Sequence, residues 1–492
     1  MKKVLYIVFS GLFSLASFSQ SQNSAYTAVG KGVSTTFLTD YQALGINNSA
    51  LGWGNGFANK NFTLGTTEMN IGIESQALNK DRLVNAYESV LSRANGSNTA
   101  PFNSQQQIDA ALDYANAGVS IFANFNWFGV AYQTEKFGGI AVSVTENYSW
   151  FSRLNEQTSD LIFRGASSSY FDSLGVAFNG DTSIIANSPN LSQDTLNAVF
   201  EGRASNPLLM SEITDGTRVK FLWNRFYNFG YGRKIFGNDS TFALYGGVGG
   251  RYIQSMAMFD MESAGGELNV NSAISPFFNL NYGNGANDPN EGIIPESIGQ
   301  GFGYDFSASV ILLGKIKIAA AVNNIGSVTY NRNVYTVRDT LLDRVSINGL
   351  DDTSIPSSLN QFNEEGGLFT LEGQQEVVVQ NAANMRLGGS IDLTKKLHVG
   401  FDVVAPFNRD NPGSLQNPVF SVGGDFRPVK WLQLSAGYFG GGIYANNMPL
   451  GINFILKDGA YEFGISSQNA LSFVLNDANS LSAAFGFARI RF

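Results

Sequence analysis

The chain has 492 residues, which is enough for one large barrel or for two to four smaller domains. Charged residues make up only 14%, against roughly 25% in soluble proteins, while aromatic residues reach 13% and there are 54 glycines. The net charge of −9 argues against nucleic-acid binding, and the absence of cysteine excludes a disulfide framework and a cysteine-linked lipid anchor.

The first residues predict an exported protein. Lys2 and Lys3 precede an apolar run over residues 4–13, and small residues follow at Ser17 and Ser19. This order is typical of a cleaved signal peptide, and the apolar run is too short to span a membrane. We therefore predict a signal peptide over residues 1–19 with cleavage before Gln20, which brings the net charge to −11 because two lysines are lost.

Residues 20–59 form a segment rich in Gly, Ser, Thr and Asn without sustained alternation of apolar and polar residues. Because the segment precedes the first predicted strand and its small side chains can pack against a polar wall, we predict that it plugs the interior of a barrel. The sequence Asn48-Ser49-Ala50 lies at its centre. A flexible leader on the periplasmic side is the alternative interpretation.

Apolar and polar residues alternate through most of residues 60–492, which is the pattern of strands with one polar face. The predicted strands cover about 60–73, 119–132, 138–148, 218–233, 241–252, 303–312, 316–325, 385–393, 397–405, 419–426, 431–439, 450–456, 461–466 and 483–492. Short and long connections alternate, as in outer-membrane barrels. We predict an all-β fold, a transmembrane antiparallel barrel of about 14 strands, with helices at 80–94 and 104–117 in extracellular loops; the alternative is a pair of soluble β-sandwiches.

The last strand suggests which residues face the interior. Counting back from Phe492 by twos gives small or apolar residues that suit lipid, whereas the other parity holds two arginines. The same parity argument selects six candidates for an interior ligand site, namely Phe122, Phe128, Phe485, Phe487, Arg489 and Arg491. An apolar patch beside arginines suits an amphipathic acid whose carboxylate pairs with a guanidinium group. Packing between the wall and the plug is the alternative explanation.

No catalytic or metal-binding pattern is found. His398 is the only histidine and shares parity with Asp402, so it is expected to face the interior as a polar wall residue. With one histidine and no cysteine, a His/Cys metal cluster is impossible. Residues 281–291 offer oxygen ligands that could hold calcium, but they lack the EF-hand spacing, and turn chemistry explains the same residues. We expect no enzymatic activity, no resident metal and no cofactor.

The overall pattern resembles the FadL-like outer-membrane barrels, a family taken broadly to include PorV-like members. The resemblance rests on the amino-terminal segment, the strand count, Phe492 and two motifs. Asn48-Ser49-Ala50 is similar to the family's Asn-Pro-Ala signature, with serine in place of proline, and residues 301–305 with 321–326 resemble its "GxGxD…NNLG" pattern. The resemblance implies location in the outer membrane and a hatch-like amino-terminal segment.

Two functional hypotheses follow. In the first, the barrel passively transports a hydrophobic or amphipathic small molecule, as better-known members of the resembling family do. In the second, it is an accessory or scaffold subunit that docks onto another outer-membrane protein in a secretion or surface complex. The expected partners are outer-membrane lipid and either a hydrophobic ligand or a protein partner, with no nucleic acid.

Overall fold

The structure, a computed structural model, describes residues 25–57, 59–75, 109, 112–113, 117–178, 180–275, 295–346, 370–441, 444–473 and 480–492. The predicted signal peptide and the loop at 281–291 lie outside these residues. So do the predicted helix at 80–94 and most of the one at 104–117.

Fourteen long strands alternate their side chains between an exposed and a buried face. Their bounds are β1 Phe62–Glu74, β2 Val119–Thr134, β3 Gly138–Arg153, β4 Arg218–Asn238, β5 Phe242–Ala264, β6 Gly299–Leu312, β7 Ile316–Tyr330, β8 Asn384–Asp392, β9 Leu397–Pro406, β10 Val419–Val429, β11 Leu432–Gly441, β12 Leu450–Leu456, β13 Tyr461–Ser467 and β14 Ser480–Arg491.

Each strand pairs antiparallel with the next one in the chain, and β14 pairs back onto β1. The sheet is therefore a closed barrel, and the predicted count of 14 strands is confirmed. The outer face carries exposed apolar side chains such as Phe229, Val248 and Phe306, which is the surface of a transmembrane barrel. Among the described residues, no helix is long and apolar enough to cross a membrane.

The two rims of the barrel differ. Turns of a few residues join β2 to β3, β4 to β5, β6 to β7, β8 to β9, β10 to β11 and β12 to β13, and this side is called the short-turn rim. On the opposite, long-loop rim, β4 and β5 extend to 21 and 23 residues, about twice what a membrane requires. Shorter strands continue the wall there, at Glu267–Ile274, Val334–Arg338, Thr370–Gln374, Val377–Gln380 and Tyr444–Asn447.

Residues 154–217 and 339–346 form a small unit on the long-loop rim, called the cap. It contains a four-stranded sheet in the order Arg344–Val345, Val199–Arg203, Ser173–Phe178 and Asp181–Ala186. Its helices are α2 Glu156–Arg164, α3 Gln193–Asn197 and α4 Met210–Ile213, with a 3₁₀ turn at Gly165–Ser167. Leu174, Phe171 and Ile213 are buried in its own hydrophobic core. The longest predicted loop is thus folded.

The described part of the amino-terminal segment, residues 25–57, lies inside the barrel and is called the lumenal segment. It contains α1 Tyr26–Val29 and 3₁₀ helices at Asp40–Ala43 and Asn48–Trp53; a further 3₁₀ turn, Ala470–Phe473, precedes β14. Ala28, Ala43 and Ala50 are fully buried in a small hydrophobic core formed within the segment itself. Its remaining contacts are to inward side chains and backbone of the wall.

Three irregularities, in the neighbouring strands β14, β1 and β2, change which side chains face inward. Thr67 of β1 has a φ of 55°, the β2–β3 register shifts at Asn126/Phe128, and the β13–β14 register shifts between Gly486 and Arg489. Each extra residue reverses the inward–outward alternation beyond it. If inward and outward positions are assigned by counting every second residue from one end of such a strand, the assignment is therefore wrong beyond the bulge.

The predicted inward orientation of Phe128, Phe485 and Phe487 is therefore wrong. Phe128 and Phe487 are 42% and 58% exposed on the outer face, and the Phe485 ring lies 5.0 Å from that of Phe487 on the same side. Gly486 instead faces the interior, where a side chain would collide with the Tyr26 ring. The bulge restores the inward orientation for Arg489 and Arg491, which are buried as predicted.

Candidate functional site

The turn at Asn48 is held in a patch of glycines on β4 and β5. A Cβ atom on Gly232 or Gly247 would overlap the backbone of Asn48 or Ser49, and one on Gly230 would stand 2.8 Å from the Asn48 side-chain oxygen. The wall thus has no side chains at these three positions, where the lumenal segment packs directly against it. Larger residues at these positions would displace the lumenal segment, so glycine is required there for the segment to dock.

Ser49 and Ala50 complete the contact with the wall. The Ser49 amide donates to the Ser307 hydroxyl at 2.8 Å, and the Ser49 hydroxyl lies 2.7 Å from the Ser309 hydroxyl. It also lies 2.6 Å from the Asn47 side-chain oxygen, to which it donates. Ala50 is fully buried. Because the Ser49 amide is used, a proline at this position could not make the same contact.

A second anchor involves the two glycine-containing motifs singled out in the sequence. The Arg251 guanidinium donates to both carboxylate oxygens of Asp305, at 2.8 and 2.9 Å. The Asn324 backbone amide donates to the same carboxylate at 2.7 Å. The neighbouring Asn323 side chain donates to the Ile46 carbonyl of the lumenal segment at 3.2 Å. These motif residues therefore hold a turn of the lumenal segment to β5, β6 and β7.

A buried charge cluster ties the segment to the last strand. Arg489 donates to the Asp40 carboxylate at 2.6 Å, with side chains 6% and 0% exposed, and lies 3.4 Å from Glu462. Glu462 also pairs with Arg491, whose guanidinium stands 4.5 Å from the Phe57 ring centre. Both arginines are thus neutralised by carboxylates of the protein itself.

Beside this cluster, the segment donates hydrogen bonds to the wall of β1. The Tyr41 hydroxyl and the Gln42 side-chain amide donate to the Glu68 carboxylate at 2.5 and 2.8 Å. Burial, followed by the charge of Glu68, raises the pKa of the Tyr41 hydroxyl well above its usual value, so that Tyr41 remains a donor. Gly65 and Gly129 leave room for the Tyr41 ring.

A cavity of about 200 Å³ lies between the lumenal segment and the wall. Its polar lining includes Asn124, Asn126, Asn323, Asn324, Asn384, Arg251 and Arg386. Its apolar lining includes Leu222, Phe226, Ile253, Val328 and Tyr330. Among the described residues, the side-chain oxygens of the asparagines at 126, 323, 324 and 384 accept no hydrogen bond. The cavity is therefore amphipathic and retains unused polar capacity.

The predicted ligand residues are divided by the structure. Phe122 faces inward, 3% exposed, but packs over Gly72 near the long-loop rim and does not line this cavity. Arg489 and Arg491 face inward on the short-turn side of the lumenal segment, where their charges are already paired. His398 also faces inward, as predicted, and its ring lies 4.2 Å from that of Phe37.

The cavity residues themselves were not selected from the sequence. The asparagines at 124, 126 and 147 follow one parity of β2 and β3 near their bulge, and Arg251 and Arg386 lie on strands far apart in the chain. The one sequence feature that could have indicated them is the recurrence of asparagine at the polar, inward-facing positions of the strands. In the described part of the chain, no group of three or more His, Cys, Asp or Glu side chains is arranged to hold a metal ion.

Fold and interior together define a transmembrane β-barrel whose lumen holds its own amino-terminal segment. The chain belongs to DUF5723, described as a family of unknown function, which it matches over residues 163–459, more than half of its length. No curated protein matches it.

Solved structures of similar fold exist. They include the Pseudomonas putida toluene transporter TodX, at 11% identity over 97% of this chain and 99% of that one, with a TM-score of 0.41. A TodX deltaS2S3 mutant, described as a monoaromatic hydrocarbon channel, has 10% identity, 97% and 99% coverage and a TM-score of 0.46. A Pseudomonas aeruginosa FadL homologue has 10% identity, 96% and 98% coverage and a TM-score of 0.39. The resemblance to FadL-like barrels is thus found again among solved structures; at this identity and TM-score it says nothing about activity.

Proposed function

We propose that this chain is an outer-membrane barrel that binds an amphipathic small molecule in the interior cavity and lets it pass when the lumenal segment is displaced. The observation that carries this proposal is the cavity of about 200 Å³, whose lining combines apolar side chains with several asparagine amides. An apolar chain would lie against Leu222 and Ile253, while a polar head would be held by the free asparagine oxygens and by Arg386. No energy source is visible in the sequence, so flow would be downhill.

The lumenal segment would act as the plug in this proposal. Its contacts support that role, since the glycine patch, the Asp305 centre and the Arg489–Asp40 pair hold it at three separate places on the wall. The wall on the polar side donates as well as accepts hydrogen bonds, which favours an amphipathic ligand over a pure hydrocarbon. Arg386 is the arginine proposed for the polar head in place of Arg489 and Arg491, because Arg386 lines this cavity and they do not.

Binding can be tested with purified full-length protein in detergent and a series of medium-chain alcohols, whose hydroxyl group can donate to a free asparagine oxygen, with the matching alkanes as comparison. Isothermal titration should show binding of the alcohols, weakened about 10-fold in Asn384→Leu, where an accepting oxygen is replaced by a methyl group. Asn190→Leu, an exposed cap substitution, should bind as the unchanged chain does. Equal binding of alcohol and alkane, or no effect of the cavity substitution, would contradict the proposal.

A second candidate function is docking of another envelope protein on the cap. The observation that favours it is the edge strand Asp181–Ala186, which pairs with only one neighbour among the described residues, and whose Ile184 is 60% exposed. Such an edge can accept a further strand. A photo-crosslinking residue at position 184 should yield one discrete adduct in cells, and the same residue at 190 should not; absence of an adduct at 184 would remove this candidate.

A further inference from the structure

A second interior space lies at the short-turn end of the barrel, between the lumenal segment and the wall. It has a volume of about 360 Å³ and is called the vestibule. The lumenal segment borders it with the loop at 54–56, where a Cβ atom added to Gly54 or Gly56 would meet no atom within 4 Å. The wall borders it with the ends of β7 to β11, β13 and β14. Of the described residues, only Gln42 lines both this space and the amide-lined cavity.

Basic side chains outnumber acidic ones by seven to three in the lining of the vestibule. The pairs that neutralise Arg489 and Arg491 are described above, and Lys31 pairs with Asp425 at 2.7 Å. One carboxylate and four basic side chains then remain, namely Asp392 with Lys317, Lys395, Lys396 and Arg427. Within the described residues, no ion pair joins any of these four basic side chains to a carboxylate. The vestibule therefore keeps a surplus of positive charge, although the chain as a whole is acidic.

The backbone of Lys31 is fixed by glycines of the wall. Gly423 and Gly437 are paired across β10 and β11, and a Cβ atom on either would overlap the Lys31 carbonyl. On β12, Gly451 lies against Gly30, where an added Cβ atom would stand 2.6 Å from the Gly451 backbone. Since Lys31 is held in this position and in its ion pair, the surplus charge of the vestibule comes from the wall.

These wall charges lie around one part of the vestibule. Lys317 and Arg427 are both close enough to the His398 ring to interact with it electrostatically. Both are likewise close to the Asp392 carboxylate. The turn that carries Lys396 is bonded to the end of β10, because the Arg427 backbone amide donates to the Lys396 carbonyl at 2.8 Å. Positive charges from β7, from the β8–β9 turn and from β10 are thus brought together by the fold.

Lys317 is the most enclosed of the four basic side chains. It is half-buried, whereas the other three are exposed, and its ammonium group stands 4.7 Å from the centre of the Trp53 ring in the lumenal segment. Asp239 also acts on it electrostatically but is paired with Lys234 at 2.8 Å. A ring contact leaves the charge of an ammonium group in place, so a partly buried cation of this kind is stabilised by an anion beside it.

We propose that the vestibule is a binding site for the phosphate group of a small periplasmic molecule. Short turns of such barrels lie on the periplasmic side. Lysine binds phosphate as a point charge, and the arginine fork binds it through two donors. A tetrahedral phosphate presents oxygens in several directions, which suits donors from three separate elements, at Lys317, Lys395 and Arg427, better than the two coplanar oxygens of a carboxylate. The site does not depend on the amide-lined cavity or its ligand.

The test is isothermal titration of inorganic phosphate into the full-length barrel in detergent, with sodium chloride holding the ionic strength constant. Succinate, a dicarboxylate of similar charge, is titrated in the same way. We expect saturable binding of phosphate and weaker binding of succinate. Glycerol phosphate distinguishes the two sources of the group, because tighter binding of this ester than of the free ion assigns the site to a phosphate ester, and the reverse order assigns it to free phosphate.

Two substitutions remove charges from different strands. Lys317→Met keeps an unbranched stem beside Trp53, and Arg427→Gln changes an exposed side chain whose backbone bond to Lys396 is kept. Because a hydrogen bond to a charged group contributes about 10-fold in affinity or more, each substitution should raise the Kd for phosphate about 10-fold. Lys396 itself is left unchanged because its ammonium group donates to the Pro428 carbonyl at 2.8 Å.

The matched control is Lys136→Gln with Arg233→Gln, which removes two exposed charges that lie outside the lining of the vestibule and should leave the Kd unchanged. Equal binding of phosphate and succinate would overturn the assignment to a phosphate group. Absence of saturable binding would overturn the site, as would a Kd that survives both substitutions or rises equally in the control. If Lys317→Met fails to fold, Arg427→Gln decides alone, because its exposed side chain is not needed for strand pairing.

Discussion

Replacing Asp40 by asparagine should loosen the lumenal segment while leaving the barrel closed. Asparagine keeps the side-chain shape and tolerates the positive φ of 55° at this position. It leaves Arg489 and Arg491 to share Glu462, which is 3.4 Å from Arg489, compared with 2.6 Å for Asp40. Removing one partner of a buried ion pair costs about 3–5 kcal/mol; because Glu462 remains, we expect the lower end, about 3 kcal/mol.

The effect can be measured by limited trypsin digestion of the folded barrel in detergent. Lys31, 3% exposed, lies in the lumenal segment, so cleavage after it reports displacement of that segment. Since 1.4 kcal/mol changes a population tenfold, Asp40→Asn should speed this cleavage roughly 100-fold. Intact mass spectrometry gives the rate, and heat-modified gel migration shows that the barrel itself is folded.

The control is Glu296→Gln, because Glu296 accepts from Arg332 at the same distance of 2.6 Å but at side chains 48% and 45% exposed. An exposed pair contributes about 0–1 kcal/mol, so cleavage after Lys31 should hardly change. Adding Arg489→Met to Asp40→Asn should recover part of the loss, since no unpaired charge is then buried. Unchanged cleavage in Asp40→Asn would refute the idea that this ion pair holds the segment.

Three other substitutions test separate parts of the structure. Gly247→Ala should displace the turn at Ser49 and increase cleavage of the lumenal segment, whereas Gly250→Ala, whose Cβ would meet its nearest neighbour at 3.7 Å, should not. Ser49→Pro removes an amide donor and two hydroxyl contacts and should destabilise docking by about 1–3 kcal/mol, seen as hydrogen exchange in residues 46–53. Leu174→Ala in the cap core should cost about 2–5 kcal/mol and expose the cap to protease with the barrel intact, while Ile184→Ala should not.

The sequence by itself determined the barrel and its strand count. Alternation with period two and the order of short and long connections are local properties, and a closed barrel leaves no edge unpaired, so few other arrangements satisfy them. The inward position of His398 and Arg489 followed from the same parity. The asparagines of the cavity were visible only as a recurring polar parity.

The tertiary structure determined the features that require contact between segments distant in the sequence. The bulges near Thr67, Trp127 and Phe487 arise where neighbouring strands pair in different registers, and a single strand carries no sign of the parity they reverse. The cap core joins residues 154–217 to Leu342 and Val345. The glycines at 423, 437 and 451 acquire their role only because the backbone of Lys31 and Gly30 reaches the wall there.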